Sequence, residues 1–548
     1  MNNCKKCQQA FQVDDHDRKF YEQMKVPEPT LCVWCRQKRR LSQINQINLF
    51  QRKCDATGET IISNFPQDTE YPIYSQVYWW SDKFDGVEYG KDFDFSRPFF
   101  EQWLGLSKAV PRPTLMTDFF SDENSEYTNY AGKNKNCYLI FDSDENWDCL
   151  YCYGVNGSTN TSDSYRCQKM ELCYECVDSQ GCYNCAFVFN SNNCTDSAFL
   201  NNCTGVRNSI MCSNLHQKEF HILNKPVTKE EFEQVKASLE DREVLDAKLV
   251  EFEKFKLQFP QKFMQGFQNE NSTGNHLVQC KDAIFCFDSM NVWNGKYCTQ
   301  MFMNTKDCLD VDEGGEAELL YECSNVGYNA YELRFCKNCL EQPTRLTYCD
   351  YCFGGCQDLF GCVGLKKKKF CILNKQYSQE EYEAMVPRII EHMKKTGEWG
   401  EYFPVECSPF QYNLSMAQDH FPLTKEQALG QGHTWRDEDK KEHKPASCEV
   451  PSKINDVSAD ICGNILACKS CSKNYKITPQ ELAFYKKMKL PIPSDCFHCR
   501  HKRRVSGRTK RGLWDRKCDK CGVQIWTSYS PDRPETVYCE ACYLSDIY

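Results

Sequence analysis

The chain lacks the long apolar run of a membrane protein. No stretch of its 548 residues approaches the ~18 apolar residues that a membrane helix needs, and the mean hydropathy is negative, -0.66. The start, Met1–Lys6, has no apolar secretory core, and Cys4 within it is already a candidate metal ligand. We therefore expect a cytoplasmic protein without a membrane segment.

Recognisable enzyme signatures are missing as well. There is no His-Glu-x-x-His pair, the ten histidines are scattered, and no Cys-His or Ser-His pairing stands out. The stretch Gly86–Asp92 has the look of a phosphate-binding loop, but its glycine spacing is one residue short and Asp92 replaces the hydroxyl residue. We therefore expect that the protein is not an enzyme.

Cysteine, by contrast, is abundant, at 39 of the 548 residues. A disulfide scaffold explains such a content in a small secreted protein, but this chain is long and has no secretion signal. Reduced thiols, partly bound to metal and partly packed as small apolar side chains, fit better. The length itself predicts several domains.

The same cysteine spacing occurs at both ends of the chain. Each end has two Cys-x-x-Cys pairs separated by 24 residues, and a basic cluster follows the second pair. Four soft thiolates in two such pairs suit a tetrahedral zinc ion with a closed coordination sphere, which makes the ion structural. The predicted ligands of these two sites are Cys4, Cys7, Cys32 and Cys35, and Cys468, Cys471, Cys496 and Cys499.

A second repeat follows each of these modules. Near the C-terminus it has the four cysteines of a third zinc site, and in the N-terminal copy three of the four are replaced, although Gly58–Ser63 still matches Gly522–Thr527. The C-terminal ligands are Cys518, Cys521, Cys539 and Cys542, and the N-terminal counterparts are Cys54, Thr57, Ser75 and Tyr78. We predict a ribbon that kept its fold and lost its metal, a packed thiol at Cys54, and three structural Zn²⁺ ions in all.

The centre of the chain is also duplicated. Ile140–Ser143 and Cys286–Ser289 begin equivalent stretches, and each half ends on the phrase Ile-Leu-Asn-Lys. A capping box follows in both halves, Thr228 with Glu231 and Ser378 with Glu381, which predicts that a helix starts there. The first helix is expected to run to about Phe259, and Pro387 is expected to kink the second.

A shorter period precedes the first of these helices. Six cysteines fall nine residues apart: Cys167, Cys176, Cys185, Cys194, Cys203 and Cys212. A nine-residue unit with small inward positions and polar residues between them predicts a β-solenoid, whose rungs ~4.8 Å apart stack identical side chains. On this interpretation the central cysteines are a ladder of reduced thiols. Extra zinc or iron-sulfur chemistry, at pairs such as Cys173/Cys176 and Cys336/Cys339, is the alternative.

The predicted fold is mixed α+β and multidomain, with terminal treble-clef or zinc-ribbon modules flanking a duplicated, cysteine-rich β-solenoid with capping helices. The predicted domains are a treble-clef zinc module at 1–48, a degenerate zinc ribbon without metal at 49–78, an aromatic and acidic connecting segment at 79–130, the first solenoid half with its capping helix at 131–260, the second half with its helix at 270–403, a wrapping linker at 404–460, a treble-clef module at 461–512 and a zinc ribbon at 513–548. The connecting segment is expected to bury its aromatic residues, or alternatively to offer Trp79 and Trp80 to a partner.

Positive charge is concentrated although the net charge is -9. Nine of the eighteen residues from Arg500 to Lys517 are Lys or Arg, as are six of the eighteen from Arg36 to Lys53. If the second cysteine pair opens a helix, its arginines project from the first turns, where guanidinium groups bind phosphate bidentately. The predicted nucleic-acid contacts are Arg500, Arg503, Arg504, Arg508, Lys510, Arg511, Arg36, Lys38, Arg39 and Arg40. The alternatives are a solvated charge run, pairing with the acidic residues at 79–95, and an acidic protein partner.

The C-terminal module resembles a known family on Cys468–Cys471, Gln480–Tyr485 and Cys496–Arg500. These residues resemble the probable treble-clef zinc-ribbon family of bacteria, which Cys4–Arg36 matches more loosely. Most of the chain also resembles uncharacterised multi-zinc-ribbon proteins of candidate-phyla (patescibacterial) bacteria. The residues that carry this second resemblance are Trp79–Asp82, Asp94–Phe100, Ile222–Lys225 and Ile372–Lys375. The resemblance implies zinc binding and a bacterial cytoplasm, and it implies no activity.

These features predict a cytoplasmic, zinc-containing, non-enzymatic protein that binds nucleic acid, with structured RNA or the ribosome as the first candidate. One alternative is a protein-interaction scaffold that docks partners on the solenoid faces or near Trp79 and Trp80. A second alternative is a thiol-based metal store or redox protein that uses the central cysteines. Nucleic-acid binding would depend strongly on salt, and a metal store would hold more than three equivalents.

Overall fold

A computed structural model of the chain describes residues 1–340, 342–437 and 443–547. The chain divides into two compact units whose segments alternate along the sequence. Unit 1 comprises Met1–Leu115, Met264–Asp437 and Arg511–Leu513, and unit 2 comprises Met116–Phe263, Glu438–Lys510 and Trp514–Tyr548. Most of the charged run at 437–442 in the predicted linker lies outside the described residues.

The two units are built from short helices, two-stranded sheets and two long parallel ladders. The α-helices of the described residues are α1 Asp15–Met24, α2 Val33–Leu41, α3 Gln76–Trp80, α4 Phe99–Ala109, α5 Lys229–Ser238, α6 Arg242–Lys256, α7 Gln379–Thr396, α8 Met416–His420, α9 Lys425–Gly430, α10 Pro479–Met488, α11 Phe497–Gly507 and α12 Glu540–Ile547. Short 3₁₀ helices span Gly86–Tyr89, Val405–Cys407, Tyr412–Leu414, Ile454–Asp456 and Ala459–Gly463. The two-stranded sheets outside the ladders pair Asn2–Asn3 with Ala10–Phe11, Phe50–Lys53 with Thr60–Ser63, Ile73–Tyr74 with Arg112–Pro113, Gln261–Lys262 with Val537–Tyr538, Leu466–Ala467 with Asn474–Tyr475, and Trp514–Lys517 with Gln524–Thr527.

The centre of each unit is a series of parallel strands. The first ladder, in unit 2, has strands Thr128–Gly132, Ile140–Asp144, Thr159–Ser162, Glu171–Tyr174, Tyr183–Phe189, Ala198–Asn201, Ile210–Ser213 and His221–Ile222, closed by the antiparallel Lys225–Pro226. The second ladder, in unit 1, consists of three sheets of stacked parallel strands. The first has Gly266–Phe267, Gly274–Val278, Cys286–Met290, Thr299–Met301 and Asp312–Gly314. The second has Val292–Lys296, Thr305–Leu309, Ala317–Tyr321, Ala330–Arg334, Thr344–Thr347, Gln357–Phe360 and Lys369–Ile372, closed by the antiparallel Lys375–Gln376, and the third pairs Cys339–Leu340 with Cys352–Phe353. Each ladder therefore corresponds to one of the two duplicated halves.

The stacking interval of the first ladder is twelve residues. Cys173 pairs with Cys185, and Ala186 pairs with Ala198. The nine-residue rung predicted from the cysteine spacing is therefore wrong. Nine and twelve are both multiples of three, so cysteines nine apart share the inward phase, but they do not lie directly above one another.

The elementary unit of the first ladder is three residues long. A left-handed backbone conformation recurs at every third residue, as at Asp142, Glu145 and Asp148 with φ of 51°, 60° and 55°. Because Asn, Asp and Gly tolerate this conformation best, their frequency at these positions follows from the backbone. The residue after each left-handed one points inward, and Cys149 and Cys152 are fully buried examples.

The small polar and thiol side chains of the interior satisfy the backbone. Ser143 Oγ accepts a hydrogen bond of 3.0 Å from the N–H of Val155, twelve residues later. The Cys149 thiol lies 3.4 Å from the carbonyl of Trp147 and 3.5 Å from that of Ser158. Serine and cysteine suit this core because they are small and each brings a donor to carbonyls that water does not reach.

The second ladder follows the same plan with inserted residues. Its intervals vary: eleven from Gly266 to Leu277, twelve from Thr305 to Ala317, and thirteen from Ala317 to Ala330. These single insertions explain why the cysteine spacing in this half is looser.

Helices cover part of each ladder, as the capping boxes predict. Both boxes are present, at Thr228 with Glu231 and at Ser378 with Glu381. The first predicted helix is divided in two, because Asp241 caps a new helix, α6, three residues after α5 ends. The second, α7, continues through Pro387. In both ladders an aromatic residue of the helix packs on the last turn, Phe232 on Phe220 and Tyr382 on Phe370, at 5.8 Å.

The aromatic connecting segment is divided between the units, and its part in unit 1 packs on the second ladder. Trp79 and Trp103 are fully buried. The indole of Trp103 donates a 3.1 Å hydrogen bond to the carbonyl of Tyr348, and the ring of Trp79 lies 5.4 Å from that of Phe353. The prediction that this segment buries its aromatic residues is confirmed here. Trp80 is half-buried, so the suggested Trp79–Trp80 surface offers at most one ring.

Parts of the predicted linker contact the rest of their own unit. In unit 1 Phe410 stacks on Phe65 at 4.8 Å, and the N–H of Met416 donates to the carbonyl of Ile44. In unit 2 the N–H of Arg242 donates to the carbonyl of Ser452. None of the described helices is both long enough and apolar enough to cross a membrane.

Burial makes the ladder thiols unreactive in the folded protein. It raises the pKa of Cys176 and of Cys336 well above the ordinary thiol value, so little nucleophilic thiolate forms there. Cys448 and Cys462, by contrast, are partly exposed and belong to no cysteine cluster of the described residues. Ellman's reagent added to zinc-loaded protein should modify about two thiols quickly and the others only on unfolding.

The matched control is the double variant Cys448→Ser/Cys462→Ser, in which the rapid phase should disappear. A rapid phase of six or more thiols in that variant would show that the ladder interior is accessible.

Candidate zinc centres and arginine contacts of the end modules

Three groups of four cysteines come together. In each group all four Sγ atoms lie within 4.8 Å of one another. The groups are Cys4, Cys7, Cys32 and Cys35; Cys468, Cys471, Cys496 and Cys499; and Cys518, Cys521, Cys539 and Cys542. They are the three groups predicted from the sequence, and all their thiols are free.

The spacing of the sulfur atoms fits a tetrahedral metal. The Sγ–Sγ distances are 3.6 Å between Cys7 and Cys32, 3.7 Å between Cys471 and Cys496, and 3.8 Å between Cys521 and Cys539. A zinc ion with Zn–S bonds of ~2.3 Å in tetrahedral geometry separates its sulfurs by about 3.8 Å. Each group can therefore hold a metal ion, and the donor set and spacing are those of a closed, structural zinc site.

Backbone N–H groups point at the cysteine sulfurs and favour the thiolate form that binds a metal cation. The N–H of Cys496 lies 3.3 Å from Sγ of Cys468, and the N–H of Cys539 lies 3.3 Å from Sγ of Cys518. Burial opposes ionisation of Cys518, but N–H groups directed at its sulfur outweigh burial and lower its pKa to about 6. Cys32 and Cys496 are N-caps of α2 and α11, so the prediction that the second pair opens a helix is confirmed.

The N-terminal ribbon keeps the backbone of the C-terminal one. Phe50–Lys53 pairs with Thr60–Ser63 in the register that Trp514–Lys517 shows with Gln524–Thr527. The N–H of Ser75 still lies 3.3 Å from Sγ of Cys54, as the N–H of Cys539 does from Cys518. No metal-type group forms around Cys54 among the described residues. This ribbon therefore retains its hairpin and its N–H···S contact without the other three thiols.

The basic cluster of the N-terminal module faces the second ladder rather than solvent. Arg36 pairs with Asp310 at 2.8 Å, and Arg39 pairs with Glu322 at 2.8 Å. Arg40, which is fully buried, pairs with Asp310 at 3.5 Å and also with Asp312. Burial opposes the charge of Arg36, but Asp310 outweighs it and raises the pKa of Arg36 well above its usual range. These arginines remain charged inside unit 1.

The C-terminal module repeats these contacts on the first ladder. Arg500 pairs with Asp163 at 2.9 Å, and Arg504 pairs with Asp163 at 3.0 Å and with Glu175 at 3.2 Å. Arg503 also pairs with Glu175, although its side chain is 53% exposed. The same two acidic positions therefore receive the same three arginines in both units.

The correspondence extends to the aromatic residues beside the ion pairs. Tyr21 of α1 makes an edge contact with Tyr321 at 5.2 Å, and Tyr485 of α10 makes one with Tyr174 at 5.6 Å. Each module thus rests on the ladder that is farther from it along the chain. The first ladder carries the C-terminal module, and the second carries the N-terminal one.

Sequence reasoning missed these acidic partners, although a signal exists. Glu171–Cys176 reads Glu-Leu-Cys-Tyr-Glu-Cys, and Glu318–Cys323 reads Glu-Leu-Leu-Tyr-Glu-Cys. The second Glu of each phrase is the arginine partner, and an Asp twelve residues earlier, Asp163 or Asp310, is the other. Had the twelve-residue period been recognised in the sequence, it would have placed this Glu and this Asp on the same face of the ladder, one turn apart.

The remaining predicted contacts are mostly engaged within their own unit. In unit 2 Arg508 pairs with Asp178 at 2.7 Å, and in unit 1 Arg511 pairs with Asp288 at 2.9 Å. In unit 1 the ammonium group of Lys38 donates a 2.7 Å bond to Gln431 Oε1. Of the predicted nucleic-acid contacts, Arg36, Arg39, Arg40, Arg500, Arg504 and Arg511 are buried. Arg503 and Lys510 are exposed. The suggested pairing with residues 79–95 is not the one observed, because ladder carboxylates take that role.

The other clusters are weaker candidates for metal binding. Asp14, His16 and Asp17 come together, but Lys296 bonds both carboxylates and Asn294 bonds the histidine. The central cysteines form no group of metal-ligand geometry within the described ranges. The three groups of four cysteines are therefore the candidate metal centres.

Comparison of the chain with family models, with curated proteins and with solved structures finds no match.

A fourth zinc site can be restored if the N-terminal ribbon kept the geometry of its copy. The triple variant Thr57→Cys/Ser75→Cys/Tyr78→Cys supplies the missing thiols around Cys54. We expect bound zinc to rise from three to four equivalents per chain, measured by mass spectrometry of the desalted protein. The single variant Thr57→Cys should stay at three, and a triple variant that also stays at three would contradict the retained geometry.

The buried ion pairs should matter far more to stability than exposed ones. Arg500→Met leaves Asp163 with one partner fewer in a dry interior and is expected to destabilise unit 2 by ~3–5 kcal/mol in urea unfolding. Arg516→Met, which removes an ion pair with the half-exposed Asp519, should cost less than ~1 kcal/mol. Adding Asp163→Leu to Arg500→Met should recover part of the lost free energy of unfolding. Equal destabilisation by Arg500→Met and Arg516→Met would contradict this account.

Proposed function

We propose that the chain is a non-enzymatic protein-interaction scaffold. In this proposal two treble-clef zinc modules each hold one β-solenoid, and each solenoid presents an outward face to a partner protein. The observation that carries the proposal is a column of exposed side chains that occurs in the same order on both ladders.

The solenoid interpretation is supported by four separate lines of stacking. In the first ladder Trp147 lies beside Thr159, Tyr138 beside Leu150, Phe141 beside Tyr153, and Asn156 beside Gln168, each pair twelve residues apart. Four three-residue sides per turn account for all four lines. The column through Phe141 and Tyr153 is covered by the C-terminal module, since Phe497 packs on Phe141 at 5.9 Å. The column through Trp147 is open to solvent.

We call the open lines the first and second outward columns. Each begins with an acidic residue and a lysine that form an ion pair, of 2.8 Å for Glu123–Lys135 and 3.1 Å for Glu270–Lys281. The shared residues are Glu123, Lys135, Trp147, Glu171, Tyr183 and Thr195 in the first column, and Glu270, Lys281, Trp293, Glu318, Tyr331 and Thr344 in the second.

The repeated aromatic residues of the two outward columns are exposed to solvent. Trp147 is 46% exposed and Trp293 47% exposed, and Tyr183 and Tyr331 are open to a similar degree. Neither packing nor metal binding requires an aromatic ring on a solvated face. Trp and Tyr are the residues that most often anchor protein interfaces, because they bury much area with few rotatable bonds. Two copies of the same anchors indicate two docking faces.

The charges of these faces favour a protein over a nucleic acid. Each column mixes carboxylates with lysines, and the arginines suited to phosphate are instead paired with ladder carboxylates. RNA binding is a second candidate with a smaller basis, since Lys502, Arg503 and Lys510 are exposed on unit 2. Charge reversal at Arg504 does not test it, because that change also breaks buried ion pairs.

The proposal is tested by what the protein retains in its own cells. Tagged wild-type chain is compared with Trp147→Ala/Tyr183→Ala and with Trp293→Ala/Tyr331→Ala, and co-purifying proteins and RNA are quantified at low and high salt. We expect a defined set of proteins that falls at least about five-fold in the column variants, since aromatic anchors give most of the affinity, and that depends less on salt than RNA binding would.

The matched control is Gln180→Ala/Asn192→Ala, which changes exposed residues on a different line of the first ladder. It should retain the same proteins as wild type. Enriched RNA that is lost with salt and with Lys502→Glu/Lys510→Glu would instead support the nucleic-acid candidate.

A further inference from the structure

The two outward columns differ at one position between the tryptophan and the glutamate. The second column has Lys306 there, and the first has Thr159. In the second column Lys306 Nζ lies 4.8 Å from the centroid of the Trp293 ring. Lys306 is also one rung, about 4.8 Å, from Glu318. The chain therefore places its own cation between an indole and a carboxylate.

The first column has the indole and the carboxylate without the cation. Thr159 is too short to reach over Trp147. Among the described residues no cation lies over the Trp147 ring, and no ion pair involves Glu171. A tryptophan face attracts a cation, and a carboxylate two rungs away adds a charge-assisted hydrogen bond.

We infer that the first outward column binds a lysine or arginine side chain of a partner protein above Thr159, between Trp147 and Glu171. This inference rests on the proposed scaffold function and names the chemistry of the partner, which is a basic protein segment. The partner's cation takes the place that Lys306 occupies in the second column. Tyr183, one rung beyond Glu171, offers a second ring to the same segment.

The space for this segment is present in unit 2. Trp147, Glu171 and Tyr183 are all exposed, and Trp147 and Tyr183 are three rungs apart, about 14 Å. An extended peptide gains ~3.3 Å per residue, so about five residues bridge the two rings. In unit 1 the same site is already filled, so we expect the second column to bind a basic segment more weakly.

The test uses a hexa-arginine peptide and protein labelled with ¹⁵N in its tryptophan indoles. The ten indole N–H signals are resolved by NMR, and Trp147→Phe and Trp293→Phe assign two of them. Titration should shift the Trp147 signal in a saturable way and leave the Trp293 signal nearly unchanged. A hexa-glutamate peptide should shift neither.

Reciprocal exchange of the differing residue gives the matched controls. Thr159→Lys should supply the cation internally and abolish the shift at Trp147, and Lys306→Thr should create a saturable shift at Trp293. Glu171→Gln should weaken binding at Trp147 about two- to five-fold, the size expected of one exposed ion pair. Unchanged zinc content and melting temperature show that each variant is folded.

A Trp147 signal that does not respond, or a response that survives both Thr159→Lys and Glu171→Gln, would overturn the inference. Saturable shifts with oligouridylate in place of the peptide would also overturn it, because the face would then bind a nucleic acid. If hexa-arginine fails while partner capture still depends on Trp147 and Tyr183, the scaffold function stands and the basic partner does not.

Discussion

The buried pairing of module arginines with ladder carboxylates is the interaction on which both units depend. Asp163 and Asp310 lie in dry interiors, where an unpaired carboxylate is costly. The arginines that neutralise them extend from α2 and α11, whose N-caps, Cys32 and Cys496, belong to the cysteine groups that could hold a metal ion. A metal ion in these groups would link helix formation to ladder stability, because it would hold together the cysteine pairs at the start of the helix that carries the guanidinium groups.

The pairing of each end module with a distant ladder is reflected in the order of the segments along the chain. Each module packs on the ladder that is distant in sequence, so unit 1 cannot close until residues beyond 400 exist, and unit 2 needs both its ladder and residues near 500. Contacts of such long sequence separation slow folding. The duplicated sequences around Glu175 and Glu322 give both ladders the same binding surface for an end module. Each of these two surfaces binds one module.

The different faces of each ladder contact different parts of the protein because each side of a turn is three residues long. A three-residue side leaves one side chain inward, one at the left-handed corner and one outward, so neighbouring faces are chemically independent. One face packs against an end module, another against a helix, and the outward columns are exposed to solvent. Repeating the exposed pattern of Trp147, Glu171 and Tyr183 in the second ladder yields two comparable surfaces. The difference at Thr159 and Lys306 lets one of them carry its own cation.

The sequence alone determined the elements whose geometry is local. Two Cys-x-x-Cys pairs need only short loops to form a tetrahedron, and a capping box is complete within four residues, so the three metal groups and the starts of α5 and α7 were predictable. The replacement of three cysteines by Thr57, Ser75 and Tyr78 in the N-terminal ribbon was visible in the same way. The stacking interval was not, because cysteines nine residues apart share the inward phase of a three-residue unit and do not show how many units close a turn.

Only the tertiary structure decided where the charges go. A run of arginines looks the same in a sequence whether it faces phosphate or buried carboxylates, because partners such as Arg500 and Asp163 are more than 300 residues apart. The outward columns are likewise invisible until the twelve-residue interval aligns Trp147 with Glu171 and Tyr183. Spacing along the chain specifies ligand sets and caps, whereas charge pairing and exposed faces depend on which distant segments the fold brings together.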